Sequence, residues 1–447
     1  MNFNKLNIQQ PLIENLHKIG YESMTPIQQE ALPHILQDKD VLAQAQTGSG
    51  KTATFGIGVL NKLDVKLFRV QSLILCPTRE LAQQVAKELR VLAKFKHNIK
   101  ILLLCGGESF GKQLNSLSHQ AHIIVATPGR ALKHLNKESL DLKHLHTLVL
   151  DEADRMLDMG FLEEVSSIIN FTPKQKQTLL FSATYTDEIL ELSKTLQKDA
   201  VFIKVESQKS KLTQKFFKVE DKLQTLIDVF TTFNPKNVIV FSSTKIQTDE
   251  IANQLQKHNI DALSLHGDLE QYERNDVLTQ FSNGSCRVLV ATDVASRGLD
   301  IAELSMVVNY DMPYEKEIYI HRVGRTARKD KSGLSISFYT DDTEIEDYKD
   351  DEIVFENVST LKSDENFTMK SPYISLVIEG GKKDKLRAMD ILGALTNNSK
   401  LKGEDVGKID IYNTQSYVAI KSELVDEAYK KLKHGKIKTK KFSVWVL

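Results

Sequence analysis

The sequence predicts an α/β protein with two tandem parallel-sheet domains and a small α+β domain at the carboxyl-terminal end. Short apolar runs rich in Val, Ile and Leu alternate with segments of helical period, and this rhythm occurs twice. A third, smaller pattern follows an acidic stretch. Such runs suit strands that are buried on both faces of a parallel sheet. The length of 447 residues is compatible with about three domains.

The first two domains are predicted from their strands and from a polar hinge between them. We expect the first domain over residues 1–205, the hinge at 206–211 and the second domain over 211–345. Helical segments such as 81–94 and 246–258 lie between the strands. The predicted strands are 40–45, 72–76, 100–104, 122–126, 147–150 and 178–181 in the first domain, and 237–241, 262–265, 287–291, 306–309 and 334–338 in the second.

An acidic linker is predicted over residues 346–370, ahead of a third domain over 371–447. The stretch 341–365 holds eleven acidic residues against two lysines, which is typical of a solvated segment. A βαββαβ-like order then follows. Its predicted strands are 373–378, 406–411, 417–420 and 442–446, and its predicted helices are 385–395 and 423–433.

Composition limits the setting in which the protein works. Lys+Arg and Asp+Glu are equal at 59 each, so any surface for a polyanion must be a local patch. Cys76, Cys105 and Cys286 lack metal-ligand spacing and are expected to be buried free thiols. The start of the sequence lacks the pattern of a secretory signal, and no run approaches the ~20 apolar residues of a membrane span. The free thiols fit a reducing cytoplasm, and we expect a monomer without membrane contact.

A phosphate-binding loop is predicted at residues 45–52, where Ala-Gln-Thr-Gly-Ser-Gly-Lys-Thr follows a strand and opens a helix. Glycines let backbone N–H groups face phosphates, and the helix amino terminus adds positive potential. Lys51 is suited to the β- and γ-phosphates of a nucleotide, and Thr52 to Mg²⁺. A chance Gly-Lys-Thr at a helix start is the alternative, and the predicted strand–loop–helix context argues against it.

An acidic pair, Asp151-Glu152, ends the apolar strand predicted at 147–150. The carboxyl end of a strand is where open α/β sheets place functional groups. Asp151 is suited to the Mg²⁺ shell and Glu152 to activating an attacking water. The alternative is an ordinary acidic helix start, but the phosphate loop upstream favours the catalytic interpretation.

At these residues the sequence resembles the DEAD-box RNA helicases of superfamily 2, whose name spells Asp-Glu-Ala-Asp, residues 151–154. The resemblance covers roughly residues 3–340 and implies RecA-like domains, ATP and Mg²⁺. Residues 20–28 resemble the family's Q motif. The nucleotide contacts that it implies are Phe3, Tyr21, Gln28, Thr47, Gly48, Ser49, Gly50, Lys51, Thr52 and Asp151, with Thr52 and Asp151 also on the metal.

The remaining motifs of the first domain imply RNA contacts and a coupling element. Residues 77–82, 106–107 and 127–130 match the family's RNA-backbone motifs, and Ser-Ala-Thr at 182–184 matches the motif that couples hydrolysis to strand separation. The resemblance assigns RNA contact to Arg79, Gly106, Gly107, Thr127 and Arg130, and coupling to Ser182 and Thr184.

The second domain has no phosphate loop, but residues 321–328 carry Arg325 and Arg328 on one predicted helical face. Two guanidinium groups neutralise charge on a transferring phosphoryl group, and arginine fingers give about 10³–10⁵ in rate. The alternative is a solvated basic stretch. The resemblance makes both arginines fingers and implies that Ala327 replaces a usual Gly at tolerable cost. It further implies coupling through His321, ribose contact through Asp300, and RNA contact through Thr292 and Arg274.

The third domain is basic, with fifteen Lys+Arg against nine Asp+Glu over 371–447. Six lysines fall within residues 431–441, a composition that suits a polyanion, although a solubilising end would look the same. Residues 380–387, 390–395, 406–411 and 435–438 resemble the DbpA-type RNA-binding domain, which is RRM-like. The resemblance implies RNA contacts at Lys436 and Lys438, and 23S ribosomal RNA and pre-50S particles as partners in large-subunit assembly.

The resulting hypothesis is an ATP-dependent RNA helicase that unwinds short RNA duplexes. Two alternatives remain open at this point. A DNA-translocating ATPase of the same superfamily would respond to DNA instead of RNA. A non-enzymatic RNA chaperone would use only the basic end, without ATP.

Overall fold

The computed structural model describes residues 2–45, 48–205, 212–293, 304–327, 332–348, 353–397 and 400–447. The chain divides into two compact units on either side of the predicted hinge, residues 206–211, which lies outside the described residues. Thr47, Asp300 and Arg328, each predicted to act at the nucleotide, also lie outside them. Within the described residues, no helix combines the length and the apolar character needed to cross a bilayer.

The first unit is a seven-stranded sheet between two layers of helices, with all described strand pairs parallel. Its strands are β1 Val41–Gln44, β2 Ser72–Leu75, β3 Ile101–Leu104, β4 Ile123–Ala126, β5 Thr147–Asp151, β6 Gln177–Ser182 and β7 Val201–Lys204. Its helices are α1 Gln10–Lys18, α2 Pro26–Ile35, α3 Lys51–Lys62, α4 Arg79–Leu92, α5 Phe110–Ser118, α6 Pro128–Asn136, α7 Ala153–Asp158, α8 Leu162–Asn170 and α9 Asp187–Leu196.

The strand order in this sheet is β3-β4-β2-β5-β6-β1-β7. Strands β2, β4, β5 and β6 are buried along their whole length, as their continuous apolar runs predict. Separate apolar clusters cover the two faces. A buried carboxylate helps to fix the register, because Asp40 accepts hydrogen bonds from the backbone N–H groups of Thr178 and Lys198, both at 2.7 Å.

The second unit repeats this architecture and adds the third predicted domain. Its parallel sheet has the order β10-β11-β9-β12-β13-β8-β14. The strands are β8 Leu212–Lys218, β9 Val238–Phe241, β10 Ala262–Leu265, β11 Val288–Ala291, β12 Met306–Asn309, β13 Gly333–Tyr339 and β14 Ile353–Glu356, and the helices are α10 Lys222–Phe233, α11 Lys245–Lys257, α12 Gln271–Asn283 and α13 Lys316–Val323.

Part of the predicted acidic linker packs against the second sheet instead of remaining solvated. Strand β14 pairs in parallel with β8 at the edge of the sheet. Met369 is fully buried in the core of the second unit, and Tyr348 is buried against Phe216. The apolar residues between the acidic ones can be buried against the sheet. The segment also pairs with the backbone groups that strand β8 would otherwise leave unpaired at the edge.

The carboxyl-terminal domain is a four-stranded antiparallel sheet in the order β16-β17-β15-β18. Its elements follow the predicted βαββαβ order: β15 Tyr373–Ile378, α14 Ala388–Thr396, β16 Val406–Ile411, β17 Ser416–Lys421, α15 Val425–His434 and β18 Val444–Val446. Leu376, Val418 and Ile420 point to its own core, where they meet Ile391 and Leu432 of the two helices.

The opposite face of this small sheet docks on helix α12 of the second sheet domain. The Tyr417 hydroxyl donates to Asp276 Oδ1 at 2.6 Å, and the Asn283 amide donates to the Ser375 hydroxyl at 2.8 Å. The Tyr412 and Thr279 hydroxyls share a hydrogen bond at 3.1 Å. Strand β17 is therefore covered on both faces, and burial raises the pKa of Asp276.

We expect Tyr417→Phe to destabilise the second unit by about 2 kcal/mol, because the half-buried Asp276 carboxylate loses its phenol donor. The Phe ring keeps the packing. Thermal unfolding of the full chain measures the change. Tyr429→Phe is the matched control, since no hydrogen bond to its hydroxyl is found among the described residues. Equal melting temperatures for the two variants would show that the hydrogen bond contributes nothing to docking.

Candidate nucleotide site and RNA-backbone surface

The phosphate loop lies between the carboxyl end of β1 and the first residue of α3, Lys51. Gly48 and Gly50 have φ values of +88° and +99°, a left-handed backbone that favours glycine. A Cβ on Gly50 would also lie 3.0 Å from both the Gln28 amide nitrogen and the Thr25 hydroxyl. Glycine at this position therefore serves both the turn and the close approach of helix α2.

A cation and two carboxylates meet below the loop in a buried environment. Lys51, Asp151 and Glu152 are almost completely buried. Lys51 Nζ and Asp151 Oδ1 have no hydrogen-bond partner among the described residues. Burial raises the pKa of Asp151 to about 7, against the opposing effect of the Lys51 charge, and Glu152 raises it further. Buried polar atoms are normally paired, so these two suit a polar ligand.

Glu152 stands at the turn between β5 and α7 with a φ of +53°, an uncommon conformation for a glutamate. Its Oε2 lies 3.6 Å from Arg155 Nε, and both side chains are almost wholly buried. Sequence reasoning did not assign a role to Arg155. Its guanidinium comes from the first turn of α7 and forms an ion pair with the Glu152 carboxylate.

The predicted Q motif lies next to the loop. Gln28 is fully buried, and its Oε1 accepts a hydrogen bond from Thr25 N at 2.9 Å, closing a capping box at the start of α2. Phe3 is fully buried within the apolar core of the first unit. The Tyr21 hydroxyl donates to Glu88 on α4 at 3.3 Å. Burial raises the pKa of Tyr21 to about 12.

The acidic motif is bonded directly to the predicted coupling motif. Asp154 Oδ2 accepts from Ala183 N at 3.0 Å, from Thr184 N at 3.1 Å and from the Thr184 hydroxyl at 3.2 Å. Ser182 ends strand β6 and is fully buried. The two motifs follow neighbouring strands, β5 and β6, and these hydrogen bonds join them.

The predicted RNA-backbone residues gather at the carboxyl ends of the neighbouring strands β2, β3 and β4. The Arg79 guanidinium lies against the Gly106–Gly107 turn. A Cβ on Gly107 would overlap Arg79 Nη1, and a Cβ on Gly106 would lie 2.9 Å from Arg79 Nη2. Gly107 also has a φ of +76°. Thr127 precedes α6, and Arg130 Nη1 donates to the Glu108 carbonyl at 3.1 Å. The structure thus brings all five together.

In the second unit, a guanidinium of the predicted finger segment has a structural role that the sequence did not reveal. Arg322 is buried, and its Nε and Nη2 each donate to an oxygen of Asp293 at 2.7 Å. It also lies over the Phe241 ring, 4.9 Å from its centroid. This bidentate ion pair between Arg322 and Asp293 fixes the end of α13. In the same segment, Arg325 is buried and His321 is half-buried.

The remaining predicted RNA contacts lie on separate elements of the second unit. Thr292 follows β11, and Arg274 lies in the first turn of α12. In the carboxyl-terminal domain, Lys438 Nζ is paired with Asp390 at 2.8 Å, whereas the exposed Lys436 has no ion pair among the described residues. The three cysteines are buried free thiols, as predicted.

Comparison with known proteins identifies the family. The family model of the DEAD/DEAH box helicases matches residues 25–192, and that of the helicase conserved C-terminal domain matches residues 221–330. The DbpA RNA-binding domain model matches residues 375–446. The chain belongs to the DEAD-box RNA helicases. Its carboxyl-terminal domain is of the DbpA type, and the predicted α/β architecture with RecA-like domains is confirmed.

Relatives match this DEAD-box helicase over nearly its whole length. The ATP-dependent RNA helicase DbpA of Escherichia coli K12 is 46% identical over 453 residues, covering 100% of this chain and 99% of the relative. DbpA of Bacillus subtilis 168 is 36% identical over 474 residues, covering 99% and 98%. A structure of Saccharomyces cerevisiae Dbp5 bound to RNA and ADP BeF3 matches with a TM-score of 0.73 and 29% identity, covering 80% of this chain and 96% of that one.

These findings establish the general activity. The helicase uses ATP, binds RNA and unwinds it. The alternative of a non-enzymatic chaperone is overturned, because both sheet domains match helicase family models and the full chain matches an ATP-dependent RNA helicase.

Ala327 marks a strained point in this helicase, since its φ is +55° where L side chains are disfavoured. We expect Ala327→Gly to stabilise the second unit by about 1 kcal/mol, raising its melting temperature by roughly 2–4 °C. Ala394→Gly, inside helix α14, is the control and should lower that temperature. A lower melting temperature for Ala327→Gly would contradict the prediction.

Proposed function

We propose that this helicase hydrolyses ATP with Mg²⁺ when RNA is bound, and thereby opens short duplexes in 23S ribosomal RNA during large-subunit assembly. We further propose a cytoplasmic monomer. One observation carries the mechanism: a single sheet edge presents the buried Lys51, Asp151 and Glu152 at β1 and β5, and the Arg79–glycine contact at β2 and β3. The nucleotide and the RNA backbone would therefore bind to the same rigid sheet.

The nucleotide would be held by the loop and the Q motif. Backbone N–H groups of Gly48, Ser49 and Gly50 would face its phosphates, together with that of Thr47, which lies outside the described residues. Lys51 Nζ would reach the β- and γ-phosphates. Gln28 Nε2, buried without a hydrogen-bond partner among the described residues, would donate to adenine. The buried Phe3 and the half-buried Tyr21 would line the base-side wall.

Asp151 and Thr52 fit Mg²⁺, since both offer hard oxygen atoms and Asp151 Oδ1 is buried without a partner among the described residues. The ion would neutralise phosphate charge when bound. Glu152 lies next to Asp151 and would accept the proton of the attacking water. Its contact with Arg155 would hold the carboxylate in position.

Hydrolysis would be coupled to RNA through both units. Arg325 and Arg328 would stabilise the transferring phosphoryl group, and Asp300 would contact the ribose. The hydrogen bonds of Asp154 to residues 183–184 would pass a change at the nucleotide to the coupling residues Ser182, Thr184 and His321.

The RNA grip would be independent of base sequence, because phosphates and sugars carry no base information. Arg79, Arg130 and the Gly106–Gly107 turn would contact one stretch of backbone, with Thr127 beside them. Arg274 and Thr292 of the second unit would contact another. The basic carboxyl-terminal domain would supply selectivity for ribosomal RNA.

Glu152→Gln keeps the size of the side chain but removes the base, so we expect ATP and RNA binding to persist while turnover falls by about 10²–10⁴. RNA-stimulated ATPase rates and equilibrium binding measure the two properties. Glu163→Gln, at an exposed position of α8, is the control. Normal turnover in Glu152→Gln would remove Glu152 from the base role. Stimulation of the unmodified helicase by DNA as strong as that by RNA would instead favour the DNA-translocating alternative.

Selectivity for ribosomal RNA is expected to depend on Lys436, which is exposed and without an ion pair among the described residues, more than on Lys438, which is engaged by Asp390. Crosslinking followed by sequencing of bound RNA should place the helicase on 23S RNA, and Lys436→Gln should lower that share several-fold. Lys362→Gln removes the same charge outside the domain and is the control. An unchanged distribution of bound RNA would refute the selectivity role.

A further inference from the structure

A cationic cluster lies beside the RNA-backbone residues of the first unit, where Lys133 of α6 and Lys137, the residue after that helix, join Arg130 around one aromatic ring. Lys133 Nζ lies 5.4 Å and Lys137 Nζ 5.6 Å from the centroid of the Phe110 ring. Arg130 Cζ lies 5.9 Å from the same centroid. Three cations thus surround one aromatic ring that stands two residues after Glu108.

The Phe110 ring is held in place by a neutral histidine. His134 stacks on it with a centroid distance of 4.2 Å and an interplanar angle of 12°. Burial lowers the pKa of His134 to about 4, and Arg130 and Lys133 lower it further. The imidazole is therefore uncharged at neutral pH, and it adds no repulsion to the cations. One face of Phe110 is occupied by this stack, so the ring serves packing more than base stacking.

A buried glutamine connects this cluster to the glycine turn. The Gln113 amide nitrogen donates to the Cys105 carbonyl at 2.9 Å, which settles the amide orientation. Gln113 Oε1 accepts from Arg130 Nη1 at 2.8 Å and lies 3.1 Å from His134 Nε2. Cys105 immediately precedes the Gly106–Gly107 turn. The cluster is therefore fixed rigidly relative to the predicted RNA-backbone contacts.

The charge of the cluster is not neutralised locally. Lys133 and Lys137 are exposed, and neither forms an ion pair among the described residues. Glu108 and Glu138 are near in sequence and exposed, but they form no ion pair with either lysine within that part of the chain. Keeping like charges together costs free energy in water, and a bound phosphate would offset that cost.

We propose that Lys133 and Lys137, gathered around Phe110, form an additional phosphate-binding subsite for the RNA strand, continuous with Arg130. The proposal rests on the proposed RNA grip and extends it along α6. The subsite binds phosphates of the RNA backbone whatever the base sequence, since its ammonium groups contact phosphates alone. The face of Phe110 on which His134 stacks is not open to a base.

Lys133→Gln/Lys137→Gln tests the subsite in the full-length helicase. The dissociation constant for single-stranded RNA should rise about tenfold. The plot of log affinity against log salt concentration should become less steep by about 1.4, at ~0.7 for each lost phosphate contact. Lys133→Arg/Lys137→Arg keeps the charges and should restore the slope. Lys94→Gln/Lys96→Gln removes two exposed lysines ahead of β3 and should leave the slope unchanged.

Poly(U) and poly(A) should show the same loss, because the subsite does not read bases. An unchanged slope in Lys133→Gln/Lys137→Gln, or an equal fall in the Lys94/Lys96 control, overturns the subsite. The salt slope is a binding measurement, so it stands apart from hydrolysis. If RNA does not stimulate the unmodified ATPase, the proposed function fails separately, whatever the slope shows.

Discussion

The strand order of the first sheet is the constraint on which the functional geometry depends. Strands β1, β5 and β6 are neighbours, although they are far apart in the chain, and they place the phosphate loop, the acidic pair and the Ser-Ala-Thr motif side by side. Strands β2, β3 and β4 occupy the other half and place the predicted RNA-backbone residues together. Parallel pairing aligns all six carboxyl ends on one edge, so nucleotide and RNA groups share a scaffold.

Within this scaffold, one carboxylate bonds the acidic motif to the Ser-Ala-Thr motif. Asp154 accepts three hydrogen bonds from Ala183 and Thr184, and a buried carboxylate with several donors is held firmly. Glu152 lies two residues before it, in a strained left-handed conformation. The turn that carries the acidic motif is thus fixed at the Asp154 side, and a change at the nucleotide side must be accommodated by the Ser-Ala-Thr segment.

The sequence predicted the strands that read as apolar runs, including the edge strands β3 and β10, and missed three strands with exposed or polar positions. Strands β7, β8 and β14 were not predicted, because β7 and β14 are partly exposed and β8 mixes polar with apolar residues, so none reads as a continuous apolar run. Residues that carry a local motif, such as the phosphate loop and the acidic pair, could be proposed as site residues from the sequence. Arg322 was not, because its role depends on Asp293, 29 residues away in the chain, and only the folded sheet brings them together.

Helix α12 connects the carboxyl-terminal domain to a predicted RNA contact, Arg274. Arg274 stands in its first turn, while Asp276, Thr279 and Asn283 on the following turns are bonded to the carboxyl-terminal sheet. The face that an RRM-like sheet could offer to bases is thereby used for docking, so under the proposed function the lysine-rich segment 431–441 would bind the RNA. Because a helix is stiff over three turns, RNA held by that segment and RNA held by Arg274 would be kept in a fixed relative position.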